Sequence, residues 1–167
     1  MILGVSGVWK KEKGLDAFLD LSQRLPPDCI LVMAGLSDAQ IRQLPEGIVG
    51  IKKTESEEAL AELYSAADVL LNPSREETFG MVAAEAMACG TPVIVADTTA
   101  CPELVMEGTG FAVNTLDPDA VLTALLHVKK LRKTAFSEAC RQNVLNRFTT
   151  ELMCTGYCKL YQQLMEE

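Results

Sequence analysis

Two glutamates, Glu77 and Glu85, are spaced Glu-x(7)-Glu inside the stretch Pro73-Ser-Arg-Glu-Glu-Thr-Phe-Gly-Met-Val-Ala-Ala-Glu-Ala-Met-Ala-Cys-Gly-Thr-Pro-Val-Ile-Val95. A carboxylate accepts two hydrogen bonds at once, and neighbouring hydroxyls on a ribose or pyranose ring offer two donors. Paired carboxylates also serve as acid and base in glycoside hydrolysis. A second cluster, Trp9-Lys-Lys-Glu-Lys-Gly14, follows an apolar run ending at Gly7. Lys10, Lys11 and Lys13 between a strand and a helix start make a good phosphate cradle, where backbone N–H groups, the helix dipole and full charges act together. A third feature is Phe79-Gly-Met-Val82, where a helix opens with free N–H groups at Gly80, Met81 and Val82. A hydrolase needs no phosphate cradle, so the carboxylates beside this one read as hydroxyl clamps on an anionic ligand.

These groups need elements to hold them. Ile2 to Gly7 is a short apolar run suited to a buried parallel strand. Gly14 opens a helix with Leu15, Phe18, Leu19 and Leu25 on one broad side. Cys29 to Ala34 is a second strand, Ser37 to Leu44 a short helix and Ile48 to Ile51 a third strand. Thr54-Glu-Ser-Glu57 has capping-box spacing. The helix after it carries Leu60, Leu63, Tyr64 and Ala67 as a core stripe.

Asp68 to Asn72 is then a strand, Ala83 to Ala88 a small-residue helix packed close to the sheet, and Thr91 to Ala96 another strand. Glu103 to Met106 is a helical turn and Gly110 to Asn114 a last strand. Asp117-Pro118 starts a helix with Val121, Leu125 and Val128 inward. Its tail, Lys129 to Lys133, suits the negative helix end as a solvated segment, and His127 lies off the apolar face. Two more helices, Ala135 to Phe148 and Thr150 to Met165, end the chain. The last carries Met153, Tyr157, Leu160, Tyr161 and Leu164 in register, either as core or as the cover of a second domain. The alternation predicts an α/β fold: a doubly wound, Rossmann-like parallel sheet of about six strands, with helices on both faces and extra C-terminal helices.

At 167 residues the chain is expected to form one domain. Its net charge of −8 disfavours a broad nucleic-acid or membrane surface, so an anionic ligand needs a local basic spot. The six cysteines form no C-x-x-C pair, and the single His127 adds no zinc-like spacing. They are expected to be buried, reduced thiols of a cytoplasmic protein. A strand starting immediately after Met1 suggests a domain cut from a longer chain.

The stretch Pro73 to Ile94 resembles the Glu-x(7)-Glu signature of retaining glycosyltransferases of family 4, which have two Rossmann-like domains facing across a cleft. Gly7-Val-Trp-Lys-Lys-Glu-Lys-Gly14 resembles that family's Gly-Arg-x(4)-Lys-Gly diphosphate loop. Leu63 to Val69 resembles the segment before its site, and Tyr157 to Leu164 its terminal helix. The resemblance implies a donor-binding domain in which Glu85 binds the ribose hydroxyls and Glu77, the catalytic candidate, the donor sugar. Gly7, Lys10, Lys13 and the N–H groups of Gly80, Met81 and Val82 would hold the diphosphate of a UDP-, GDP- or ADP-sugar. It implies no metal or cofactor, and a saccharide or lipid-linked acceptor bound by a separate N-terminal domain, the only route to a membrane.

Two positions depart from the pattern. Val8 replaces the usual Arg, and Thr99-Ala-Cys-Pro-Glu103 replaces Gly-Gly-x-Pro-Glu. A nucleotide-sugar epimerase domain and a noncatalytic nucleotide-sugar-binding module are the alternatives. A phospho-receiver domain is a poorer reading, because no strand-end acidic cluster with a distal Lys is evident in the sequence.

Overall fold

Four-residue strands alternate with helices from the first residues onward. In the computed structural model, which describes residues 1–166, the strands are β1 (Ile2–Val5), β2 (Leu31–Ala34), β3 (Ile48–Ile51), β4 (Val69–Asn72), β5 (Val93–Ala96) and β6 (Gly110–Val113). All five pairings are parallel, in the order β3-β2-β1-β4-β5-β6. The inner strands β2, β4 and β5 are buried along their whole length, as unbroken apolar runs covered on both faces require. The edge strands β3 and β6 stay partly exposed. The chain winds outward from β1 in one direction and from β4 in the other. The sheet therefore reverses between β1 and β4, and a crevice opens beyond their C-terminal ends, where such sheets bind ligands.

The helices are α1 (Leu15–Ser22), α2 (Asp38–Gln43), α3 (Glu57–Ala66), α4 (Met81–Ala88), α5 (Cys101–Leu104), α6 (Pro118–Leu131), α7 (Ser137–Arg147) and α8 (Thr150–Glu166). Three of the starts are capped by a side chain. Ser37 and Gln40 form a reciprocal capping box on α2. Asp117 accepts from the N–H groups of Asp119 and Ala120, with Pro118 following as first helical residue. For α3 the cap is Ser56, accepting from Ala59 N, and not the expected Thr54. The helix starts two residues later, nearer the stripe that it buries.

Packing of α4 is close because Ala83, Ala84 and Ala86 are all buried between sheet and neighbours. Phe18 of α1 lies against the backbone of Gly4, where a β-carbon would stand 2.3 Å from its ring. Two features differ from expectation at the C-terminal side. Lys133 is not a solvated tail residue: its ammonium donates to Ser65 O at 2.5 Å and Tyr64 O at 3.5 Å, closing the C-terminus of α3. The apolar stripe of α8 is not core within this chain, since every described residue of that helix is exposed. Its two cysteines, Cys154 and Cys158, are exposed too, against the expectation of burial, whereas Cys101 and Cys140 are buried.

Candidate functional site

The loop after β1 is fixed by a residue that composition disguises. Trp9 stands in a lysine-rich segment yet is buried, donating from Nε1 to Ala34 O at 2.8 Å and meeting the Phe18 ring edge-on at 5.2 Å. From this anchor a 3-10 turn, Lys11–Lys13, ends at Gly14 with φ +75°. A β-carbon at Gly14 would lie 2.5 Å from Pro73 Cγ and 2.7 Å from Pro73 O. Only glycine supplies both that conformation and that approach, and through it the loop after β1 touches the loop after β4.

Polar bonds complete the join. Arg75 N donates to Glu12 O at 2.8 Å, and the Arg75 guanidinium reaches Asp16 Oδ2 at 2.6 Å. The result is that Lys13 Nζ lies 2.7 Å from Glu77 Oε1, with the Glu77 side chain 16% exposed. Two residues 64 positions apart in sequence thus meet at the switch point of the sheet. Lys10, Lys11 and Gly7 stay exposed around this pair, with open space where a Gly7 side chain would go.

The start of α4 forms the adjoining wall. Gly80 has φ +94°, and a β-carbon there would press to 2.9 Å from Leu104 Cδ1. No side chain caps this end; Gly80 O receives Ala83 N and Ala84 N, and no acceptor in the described residues takes the N–H groups of Met81 or Val82. That leaves uncapped donors and a positive helix end beside Lys13 and Glu77, a setting suited to an anion. One helical turn further, Glu85 Oε2 accepts a hydrogen bond of 2.8 Å from Tyr64 Oη. Burial pushes the Tyr64 phenol far above its ordinary range, and the Glu85 hydrogen bond and charge push the same way, so Tyr64 stays a donor.

The loop after β5 closes the site from a third side. Thr99 Oγ1 accepts from Glu77 N at 3.1 Å, and Thr98 Oγ1 donates to Arg75 O at 3.2 Å. Thr99 has φ +51°, the left-handed region that favours glycine, at a cost of roughly 1–2 kcal/mol. Thr99 thus keeps the backbone form that a glycine would give, and adds a hydroxyl that holds Glu77. Behind it Cys101 is fully buried; burial raises its thiol to about 11, with Glu77 adding to the rise and Lys13 opposing it. Asn72, at the end of β4, carries the single buried side-chain polar atom without a partner among the described residues, Nδ2.

Of the sequence-predicted residues, Lys13 and Glu77 therefore meet, and Gly80, Met81 and Val82 follow shortly after Glu77 at the start of α4. Glu85 stands one turn on and is held by Tyr64, and Lys10 and Gly7 lie exposed on the loop after β1. Reading by sequence missed Arg75, Tyr64 and Thr99. Arg75 and Thr99 act through partners distant in sequence. Tyr64 falls in the helical apolar stripe and carries only its hydroxyl as a signal.

A cavity of about 550 Å³ lies elsewhere, at the N-terminal edge of the sheet, among Met1, Leu25, Leu122, Leu126, Asp28 and Lys129. It shares no residue with the three loops. Among the described residues no group of three or more His, Cys, Asp or Glu side chains is placed to hold a metal ion.

The family model described as "Glycosyl transferases group 1" matches residues 1–130. The chain is similar to a D-inositol 3-phosphate glycosyltransferase of Mycolicibacterium gilvum, 33% identical over 149 residues, covering 80% of this chain and 34% of that protein. It is also similar to an uncharacterised 41.2 kDa protein in the cps region of Klebsiella pneumoniae, 38% identical over 100 residues, covering 57% of this chain and 27% of that one. Among solved structures, a sucrose-phosphate synthase from Thermosynechococcus elongatus superposes with a TM-score of 0.84 at 28% identity, over 99% of this chain and 45% of that chain. The Anabaena protein HepE in complex with UDP-glucose superposes with a TM-score of 0.76 at 21% identity, over 97% of this chain and 48% of that one, a likeness of fold. The chain spans about a third of the first relative and just under half of these solved chains.

Proposed function

This chain belongs to the glycosyl transferases group 1 family, and on that premise we propose that it is the nucleotide-sugar-binding, C-terminal half of a retaining glycosyltransferase. The observation that carries the reading is the contact of Lys13 with Glu77, 2.7 Å apart beside the uncapped start of α4. One positive group, one carboxylate and free N–H donors converge there, which is what a sugar linked to a diphosphate requires. The UDP and UDP-glucose held by HepE support the ligand class.

In this reading the diphosphate lies against Lys13 and the N–H groups of Met81 and Val82, with Lys10 and Gly7 at its edge. Glu85 accepts from the ribose hydroxyls, and Glu77 from a hydroxyl of the donor sugar. Transfer breaks the bond between the anomeric carbon and the diphosphate oxygen, and the electron pair goes to that oxygen. Lys13 and the helix end stabilise the charge that develops on the leaving group. The acceptor oxygen bonds to the same face of the anomeric carbon and passes its proton to the departing diphosphate oxygen. A second domain carries the acceptor, a saccharide or lipid-linked sugar of polysaccharide or glycoconjugate synthesis. The exposed stripe of α8, Leu152, Met153, Tyr157, Leu160, Tyr161 and Leu164, is the surface offered to that domain.

Alone, the 167-residue chain is then expected to bind nucleoside diphosphate without efficient transfer. Isothermal titration with UDP, GDP and ADP tests this, and absence of binding for all three at millimolar concentration overturns it. Glu85→Gln should weaken the best of them by about 1–3 kcal/mol, as for a lost hydrogen bond to a charged group. A binding module without transferase activity is the second reading, favoured by Val8, 60% exposed at the position where the family pattern has an Arg. Radiolabelled sugar transfer by a longer chain that includes the acceptor domain separates the two.

A further inference from the structure

Glu85 is not a free surface carboxylate. Its Oε2 is held by the hydroxyl of Tyr64, a side chain only 2% exposed and 21 residues earlier in the sequence. Tyr64 is itself fixed at several points. Its ring is part of the core, and its carbonyl accepts 2.6 Å from Thr91 Oγ1 and 3.5 Å from Lys133 Nζ. The phenol remains protonated because ionisation beside Glu85 in a buried site is opposed twice, by desolvation and by charge. This is a one-way hydrogen bond, from a rigid donor to a partly buried acceptor.

The consequence for Glu85 is geometric. An ionised carboxylate offers about four lone-pair sites on two oxygens. Tyr64 takes one on Oε2, which leaves Oε1 and the rest of Oε2 for a ligand. A glutamate side chain has three rotatable bonds, and holding it at one oxygen fixes the plane of the other. Two vicinal hydroxyls need both oxygens presented at once; a single hydroxyl accepts many orientations. We propose that Tyr64 is a positioning residue which, through Glu85, makes the site select a vicinal diol, so that ribonucleotides are preferred over 2′-deoxyribonucleotides. This rests on the assignment of Glu85 to the ribose made above.

A buried phenol needs an acceptor in any case, so loss of Tyr64 could act on stability alone. The test must therefore read selectivity. Affinities of the wild-type chain, Tyr64→Phe and Glu85→Gln are measured by calorimetry for UDP, GDP and ADP and for the 2′-deoxy form of whichever binds best. The wild type is expected to prefer the ribonucleotide about tenfold. Tyr64→Phe should reduce ribonucleotide affinity three- to tenfold, leave the deoxy form within twofold, and so erase most of the preference.

Equal losses for both ligands, with a lower melting temperature, would assign Tyr64 a structural role and overturn the proposal. An unchanged preference in Tyr64→Phe would overturn it too, while a preference lost in Glu85→Gln leaves the ribose assignment standing. If the wild type binds both forms alike and Glu85→Gln changes neither, the assignment of Glu85 itself fails, and the proposal with it.

Discussion

Two helices, α4 and α8, read as apolar in the sequence and meet opposite fates. In α4 the side chains of Ala83, Ala84, Ala86 and Met87 are buried, and the helix lies between β4, β5 and α7. In α8 the larger residues Tyr157, Leu160, Tyr161 and Leu164 are 47–61% exposed. Apolar area favours burial in both, but α4 is apolar at every position except Glu85, whereas α8 carries Glu151, Lys159, Gln162 and Gln163 beside its stripe. Size differs as well: alanines let a helix approach a closed sheet, while a stripe of Tyr and Leu needs a surface with room for it. Among the described residues that stripe is left uncovered.

The largest contrast should appear in thiol chemistry. Cys154 and Cys158 on α8 are exposed, whereas Cys101 behind the site and Cys140 on the inner face of α7 are fully buried. Iodoacetamide at neutral pH should alkylate the α8 pair in the folded chain and leave Cys101 and Cys140 unmodified until denaturant is added. Peptide mapping by mass spectrometry reads this directly. Early modification of Cys101 would mean that the loop after β5 opens in solution. Protection of Cys154 and Cys158 would mean that α8 is covered, contrary to the comparison.

A substitution in α4 comes next. Ala86 has no accessible surface, and Ala86→Leu would force three extra carbons into a filled space. Overpacking of this kind costs about 1–3 kcal/mol, read as a lower urea midpoint. The same measurement against pH tests the buried thiols. Burial raises Cys140 from its ordinary 9.0 to about 12, and Cys101 to about 11. A raised folded value means that the stabilising difference is full below 9 and lost as pH rises through the folded values. Lys133, lowered by desolvation, works in the opposite sense. Two thiols, joined above pH 10 by the raised Tyr64 phenol, against one amine should make the midpoint fall from pH 9 upward, with a shallower fall in Cys140→Ala. A flat profile shared by both proteins would contradict the burial of these thiols.

The strand order, and with it the switch point between β1 and β4, was not legible in the sequence. The parallel sheet was, because buried parallel strands leave short apolar runs, and helices leave their period. Strand β3 and helix α6 show this, with Ile48–Ile51 and the Asp117-Pro118 start matching the expected positions. Lys13 and Glu77 were legible as chemistry because their types and their places at loop ends suggested it. Their mutual contact was not, since it depends on Gly14 touching Pro73 across a crossover of some sixty residues. The roles of Thr99 and Arg75 were hidden for the same reason: each acts through a partner on another loop. The loop that holds Trp9 was legible but its burial was not, although an indole in a short loop is a natural anchor when a carbonyl such as Ala34 O lies within reach.

The smallest effect is the most informative about α8. Leu160 is 47% exposed in mid-helix. Leu and Gln have similar helix propensity, so Leu160→Gln changes little besides polarity. If the stripe faces solvent in this chain, the substitution should alter unfolding free energy by no more than about 0.5 kcal/mol, as for surface positions. If a longer chain carries the proposed acceptor domain, the same change there should cost more, because the leucine would leave an apolar contact. Equal and negligible effects in both would free α8 from any role as cover. A loss of 2 kcal/mol or more in the 167-residue chain would place Leu160 in its core, and the contrast between a buried α4 and an exposed α8 would fall.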